Sequence, residues 1–140
     1  MESPYSGSIT GGPPVRAVVE STFETAAVTE INFSQRSVGT NVERYMNDMI
    51  NNKWDWRLSG PLRVMEVEGQ LVSYDNRRLM AAQNAGLERV PIQRVNPQDI
   101  MPGSKRTWEQ AFERRRNDPR NIDAGGPVPP QGLKEQPQIR

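Results

Sequence analysis

Between Ala26 and Arg116 the spacing of apolar residues switches repeatedly between two and three-to-four, and this alternation constrains the fold more than any single motif. "AAVTEINF" (Ala26 to Phe33) alternates and is rich in β-branched residues, which predicts a strand. "TNVERYMNDMI" then places Val42, Tyr45, Met46, Met49 and Ile50 on one helical stripe, with Thr40 and Glu43 spaced as a capping box. In "PLRVMEVEGQLVSY" the period returns to two: Leu62 to Val67 is one strand, Gly69-Gln70 a turn, and Leu71 to Ser73 a second strand. A short helix follows from Asp75, placed to cap it, to Gly86, whose left-handed tolerance would close it with Leu87 folded back on Ala82. "RVPIQRV" reads as a strand, with Pro91 favouring an edge or a strand start. "TWEQAFERRR" opens on a second capping box, Thr107 and Gln110, with Trp108, Ala111 and Phe112 as its apolar face. The order strand, helix, strand pair, helix, strand, helix predicts a small α/β domain.

Only 34% of the 140 residues are apolar and mean hydropathy is −0.77, so the core must be concentrated in part of the chain. Residues 1–15 are rich in Gly and Pro and read as a flexible lead; "AGGPVPPQGLKEQPQIR" (124–140) reads as an extended tail. The expected domain therefore spans residues 16–122, with 123–140 left outside it. No run approaches the roughly 18 apolar residues of a membrane span, so no membrane partner is expected. The N-terminal "MESPYSGSITGGPPV" lacks the charged start and apolar stretch of a secretory signal.

Cysteine and histidine are both absent. That removes disulfides, thiolate nucleophiles, the usual zinc sites and every Ser-His-Asp or Cys-His arrangement. Any catalysis falls to Asp, Glu, Arg, Lys, Tyr or Ser, or to a metal held by carboxylates. The net charge of +1 hides a gradient: residues 1–39 carry two basic and four acidic side chains, residues 103–140 eight and five. The basic C-terminal third could follow a phosphate backbone, or simply be a solvated face.

At "YDNRRL" (Tyr74 to Leu79) two arginines stand at a helix start, where backbone N–H groups are unpaired and the helix field is already positive. Arg77 and Arg78 are unfavourable there without a ligand, and favourable when a phosphate sits between amides and guanidinium forks. The plainer alternative is that Asp75 caps the helix and pairs with one arginine while the other is solvated.

The stretch "GQLVSYDNRRLMAAQNAGLERVPIQ" resembles the core motif of the ParB N-terminal and sulfiredoxin superfamily: strand, polar pair with two arginines at a helix start, small-residue helix, glycine, Val-Pro-hydrophobic strand. Asp75 stands where that pattern has glycine, Asn76 where it has Glu or His, and Arg77 and Arg78 keep the arginines. Sulfiredoxin chemistry is excluded, because its cysteine has no counterpart. "DNRRL" preceded by "FSQRSV" is more similar to the ParB-like C-terminal domains of bacterial polymorphic toxins, with Ser34 and Gln35 matching the upstream element. That resemblance implies a mixed sheet with about three packed helices and a toxin-type nuclease cleaving DNA or RNA. It also implies a cognate immunity protein, and secretion or injection by a specialised system with action in the target-cell cytoplasm.

On this reading Arg77 and Arg78 stabilise phosphate charge, and Asp75 orients a water or holds a divalent ion such as Mg2+. Asn76, Gln35 and, more weakly, Ser34 hold phosphate or sugar. Lys53 and Arg57, interleaved with Trp54 and Trp56, either stack bases and hold phosphates or belong to a loop whose tryptophans cover the helix. Glu66 and Glu68 are either metal ligands or a solvated strand face, and the "ERRR" run of Glu113 to Arg116 is either a solvated helix face or a track for phosphates beside the site. The alternatives to cleavage are a non-cleaving nucleotide- or DNA-binding module, with or without triphosphate hydrolysis, and a domain that docks an acidic partner.

Overall fold

The computed structural model describes residues 23–140. The expected lead, 1–15, and the expected first residues of the domain lie outside them. The elements in chain order are β1 (Glu24–Ala27), β2 (Ile31–Phe33), β3 (Ser37–Val38), α1 (Val42–Ile50), α2 (Trp56–Ser59), β4 (Leu62–Val67) and β5 (Gln70–Ser73). Then come α3 (Asn76–Asn84), β6 (Arg89–Arg94), α4 (Trp108–Arg116), α5 (Pro119–Asp123) and β7 (Gln138–Ile139). The α/β class holds: a mixed five-stranded sheet carries three nine-residue helices and two short ones.

The sheet order is β1-β6-β4-β5-β2, with β4–β5 and β1–β6 antiparallel and β4–β6 and β2–β5 parallel. "AAVTEINF" is therefore not one strand. A 3₁₀ turn at Val28–Glu30 divides it, and its halves occupy opposite edges of the sheet. Edges of a flat five-stranded sheet stand roughly 19 Å apart, whereas a one-turn 3₁₀ link covers only about 8 Å. The sheet must curl until its edges approach. Val28 is buried in the core, its N–H donates to Glu88, and its carbonyl accepts from Gln83 Nε2, which fixes the turn.

The period-two strands expose one set of side chains to each face. Leu62 and Val64 join Ile31, Phe33, Val42, Met49, Trp56 and Leu79 under α1 and α3; Met65 and Val72 join Val95, Trp108 and Phe112 under α4. Glu68 and Gly69, both at positive φ, make the β4–β5 turn. Gly86, at φ +81°, closes α3, and Leu87 N donates to Ala82 as expected. The Thr107–Gln110 capping box is formed. The Thr40–Glu43 box is not: Asn41, at φ +87°, precedes α1 and no side chain caps it. Pro91 lies not on an edge but in β6, between β1 and β4, opposite Thr25.

The segment expected as an extended tail is extended but lies on the domain. Val128 and Pro137 are buried, Leu133 exchanges two backbone hydrogen bonds with Phe33, and β7 pairs in parallel with β3. The Arg36 guanidinium donates to the carbonyls of Gly126 and Pro127. A few apolar anchors and a strand edge that needs partners are enough to fix a proline-rich segment.

Candidate functional site

β5 delivers the chain to α3 through Tyr74 and Asp75, and the corner is built around the Asp75 carboxylate. Its Oδ2 accepts from the Arg63 backbone N–H at 2.8 Å, from Arg63 Nε at 3.0 Å and from Arg78 Nη2 at 3.0 Å; Oδ1 accepts from Arg63 Nη2 at 2.6 Å. The Asp75 side chain is 11% exposed. The expected helix cap is therefore absent: no side chain caps α3, because Asp75 is turned toward β4. The N–H groups of the first turn of α3, without intrahelical partners, keep their positive field.

The two arginines of the motif part company. Arg78 turns inward, bridging Asp75 to the carbonyls of Gly60 at 2.6 Å and Pro61 at 3.2 Å, with its guanidinium 6.0 Å from the Trp56 ring centre. Arg77 is exposed and makes one long contact, 3.3 Å, to the Thr40 carbonyl. They do not face one ligand as a pair, because consecutive helix positions project about 100° apart.

Ser34, Gln35 and Asn76 are brought together, as the sequence pattern implies. Asn76 Oδ1 accepts from the Ser34 N–H at 2.8 Å; its Nδ2 donates to Ser34 Oγ at 2.9 Å and Gln35 Oε1 at 2.8 Å. Ser34 Oγ donates to the Ser73 carbonyl at 2.6 Å. Ser34 and Asn76 are buried and their polar atoms are satisfied, so this network locks the loop after β2 onto the start of α3. Ser34 is not a nucleophile in this arrangement.

Lys53 and Arg57 are exposed, and Arg57 pairs with Asp55. The tryptophans between them cover the helix: Trp56 is buried, and Trp54 stands edge-on between Trp56 and Tyr45 of α1. Glu66 is an exposed partner of Arg94, and Glu68 accepts from Gln131.

Two further arginines complete the corner: Arg63, which the sequence did not single out, and Arg115 of the "ERRR" run, for which a solvated face and phosphate tracking beside the site were the expected alternatives. Arg63, on β4, holds Asp75 and lies 5.4 Å from the Tyr74 ring centre and 5.5 Å from that of Trp108. Arg115, from the "ERRR" run of α4, stacks 3.7 Å from the Tyr74 ring centre and donates to the Tyr74 carbonyl at 2.5 Å. Arg63 and Arg78 thus share the one carboxylate, and Arg115, on the neighbouring Tyr74, adds a third guanidinium to the corner without pairing with it. Their electrostatics differ: the hydrogen bond to Asp75 raises the Arg63 pKa. Burial lowers those of Arg78 and Arg115, and the charge of Arg63 adds to the lowering. For Asp75, burial alone would raise the pKa, but the hydrogen bonds of Arg63 and the charge of Arg78 bring it below the ordinary carboxylate value.

The expected Mg2+ ligand does not fit this geometry. Both Asp75 oxygens are engaged by guanidiniums, which would repel a divalent cation, and the described residues contain no group of three His, Cys, Asp or Glu suited to hold one.

No family model and no curated protein matches the chain. Among solved structures it is similar to a conserved hypothetical protein from Pyrococcus furiosus, with 18% identity, TM-score 0.37, and coverage of 55% of this chain and 33% of that one. It is also similar to a free serine kinase in complex with AMP, with 16% identity, TM-score 0.35, and coverage of 58% and 32%. The chain spans about a third of the length of these two structures.

Proposed function

We propose that the domain binds the phosphate groups of nucleic acid at the corner between β5 and α3, and that it is a ParB-like, toxin-type nuclease domain cleaving phosphodiester bonds of DNA or RNA. The observation that carries the reading is the imbalance at this corner: Arg63 and Arg78 share the Asp75 carboxylate, and Arg115, stacked on the adjacent Tyr74, pairs with no carboxylate among the described residues, all beside an uncapped helix start. Positive charge in excess of its counterion, half-buried and next to free backbone N–H groups, is stabilised when an anion joins it. Arg63 and Arg115 are the groups placed to touch phosphate. Asp75 is a positioning residue that aligns Arg63 and Arg78. Guanidiniums fixed in this way stabilise charge developing on phosphorus oxygens, and each is worth on the order of a few kcal/mol of barrier. Delivery into a target bacterium and neutralisation by an immunity protein belong to the same proposal, and the "SQ" and "DNRR" resemblances support them.

One observation favours a second reading, a non-cleaving nucleotide- or DNA-binding module. Ser34 Oγ, the Asn76 amide and both Asp75 oxygens are engaged, which leaves no free base in that network to activate a nucleophile. The deciding experiment incubates purified protein with end-labelled single- and double-stranded DNA and RNA, in magnesium and in EDTA. Cleavage that Arg115→Ala abolishes, with an unchanged circular dichroism spectrum, supports the nuclease. Retarded but intact nucleic acid selects the second reading. Neither cleavage nor binding overturns both.

A further inference from the structure

A second group of arginines lies on the other side of the α3 start. Gly39 follows β3 with an ordinary backbone, so no left-handed conformation demands glycine there. A Cβ at this position would stand 3.6 Å from Arg140 Nη2 and 3.9 Å from Arg77 Nη1. One guanidinium comes from the first turn of α3 and the other from the residue after β7, and they bracket a position with no side chain. Arg140 is held by Ser37 Oγ at 2.8 Å, and Arg77 by its long contact with Thr40. Among the described residues neither forms an ion pair with a carboxylate. Arg120 stands near enough to Arg140 to act on its charge; its own carboxylate, Asp118, is already engaged by it at 2.9 and 3.0 Å and caps α5. Desolvation, then the like charges of Arg120 and Arg77, lowers the Arg140 pKa against the opposing pull of Asp118. As at the Asp75 corner, guanidiniums outnumber carboxylates: Asp118 is engaged by Arg120, and Arg77 and Arg140 have no carboxylate partner among the described residues.

We propose that Arg77 and Arg140, over Gly39, form a second phosphate subsite, so that the ligand is a nucleic-acid strand contacting both sides of the α3 start rather than a single nucleotide. This rests on the phosphate reading of the Asp75 corner and specifies its ligand. The side chains that carry surplus charge lie on both flanks of one helix turn, Arg115 and Arg63 toward Tyr74, and Arg77 and Arg140 toward Gly39. A mononucleotide reaches one flank. Successive phosphates of a strand reach both, and each phosphate neutralised on a single strand adds about 0.7 to the slope of log affinity against log salt.

The test uses Gly39→Asp, which sets a carboxylate between the two guanidiniums without deleting either, at a position where backbone and space accept a side chain. Fluorescence polarisation is measured with a labelled dinucleotide carrying one phosphodiester and a labelled phosphorothioate 12-mer, which resists cleavage. For the 12-mer, Gly39→Asp is expected to lower affinity at least ten-fold at low salt and reduce the salt slope by about 0.7. Dinucleotide affinity and thermal midpoint should not fall, and Arg77→Ala with Arg140→Ala should reproduce the loss. Undiminished 12-mer binding by Gly39→Asp overturns the second subsite. If dinucleotide binding is intact and sensitive to Arg115→Ala, the first reading survives that result. If wild-type protein binds neither probe, both fall.

Discussion

Asp75 and Arg63 are joined by backbone and side chain at once: the carboxylate accepts the Arg63 N–H and two donors of its guanidinium, across twelve residues and the β4–β5 turn. The contact ties the beginning of β4 to the end of β5 where Tyr74 N also donates to the Arg63 carbonyl. It takes Asp75 away from the helix it precedes. The start of α3 is left uncapped and electropositive, which is costly for stability and useful for holding an anion.

Asp75→Ala is expected to destabilise the fold rather than act on the ligand alone. Two guanidiniums would lose the same largely buried carboxylate, and breaking such a pair from one side costs about 3 kcal/mol. Urea unfolding followed by tryptophan fluorescence gives the figure. A loss below about 1 kcal/mol would mean solvent already screens the pair.

Acid should weaken the protein through two aspartates. The folded pKa of Asp75 is lowered, and that of Asp118 falls to about 2 through its hydrogen bonds with the side chain and backbone of Arg120. Both pKa values are depressed on folding, so their contribution is fully present above the unfolded value, about 3.9. It is lost as pH falls through the folded values. Asp118→Asn keeps an acceptor for the Arg120 N–H and removes the charge, so the urea midpoint should become less steep between pH 4 and 2. Its contribution is the smaller, since its side chain is 26% exposed. An unchanged slope in Asp118→Asn would assign acid sensitivity elsewhere.

Gly132→Ala tests whether residues 127–140 are part of the domain. Gly132 has φ +75°, and a Cβ there would stand 2.6 Å from the Phe33 carbonyl, on the backbone it must approach for the Phe33–Leu133 pairing. The alanine variant should show amide exchange at Phe33 and Leu133 at least ten-fold faster, with amides of β4 unchanged. Equal exchange rates would contradict the packing described.

Asn76→Ala should remove the tether between the β2 end and α3. It strands the Ser34 N–H in a buried site, and an unsatisfied buried donor costs about 1–3 kcal/mol. Thermal unfolding measures it; a midpoint within a degree of wild type would show that water replaces the amide.

The parts of the fold legible in the sequence were those fixed by neighbours in the chain. The β4–β5 hairpin followed from alternation and Gly69, the end of α3 from Gly86, and the start of α4 from Thr107 and Gln110. Parts decided by distant contacts were not legible. "AAVTEINF" has strand composition throughout, yet curling of the sheet places its halves on opposite edges. The proline-rich end has the composition of a free tail, and its anchors Val128 and Leu133 matter only because β2 has an open edge beside them. At the site, the "SQ" and "DNRR" motifs lie 42 residues apart, from Ser34 to Asn76, and Ser34, Gln35 and Asn76 do meet. Arg63 lay hidden in an apolar strand, and Arg115 stood in a charged helical run where a solvated face is the ordinary reading and phosphate tracking the alternative.

The account depends on the guanidiniums around Asp75 being a phosphate site, and Arg115 tests it most cleanly because it pairs with no carboxylate among the described residues. Calorimetric titration of wild-type and Arg115→Ala protein with a single-phosphodiester dinucleotide, at low and high salt, is the direct measurement. The account predicts salt-sensitive binding by the wild type and at least a ten-fold loss in Arg115→Ala with the thermal midpoint nearly retained. Equal affinity in the two proteins, or no binding by the wild type, would contradict it.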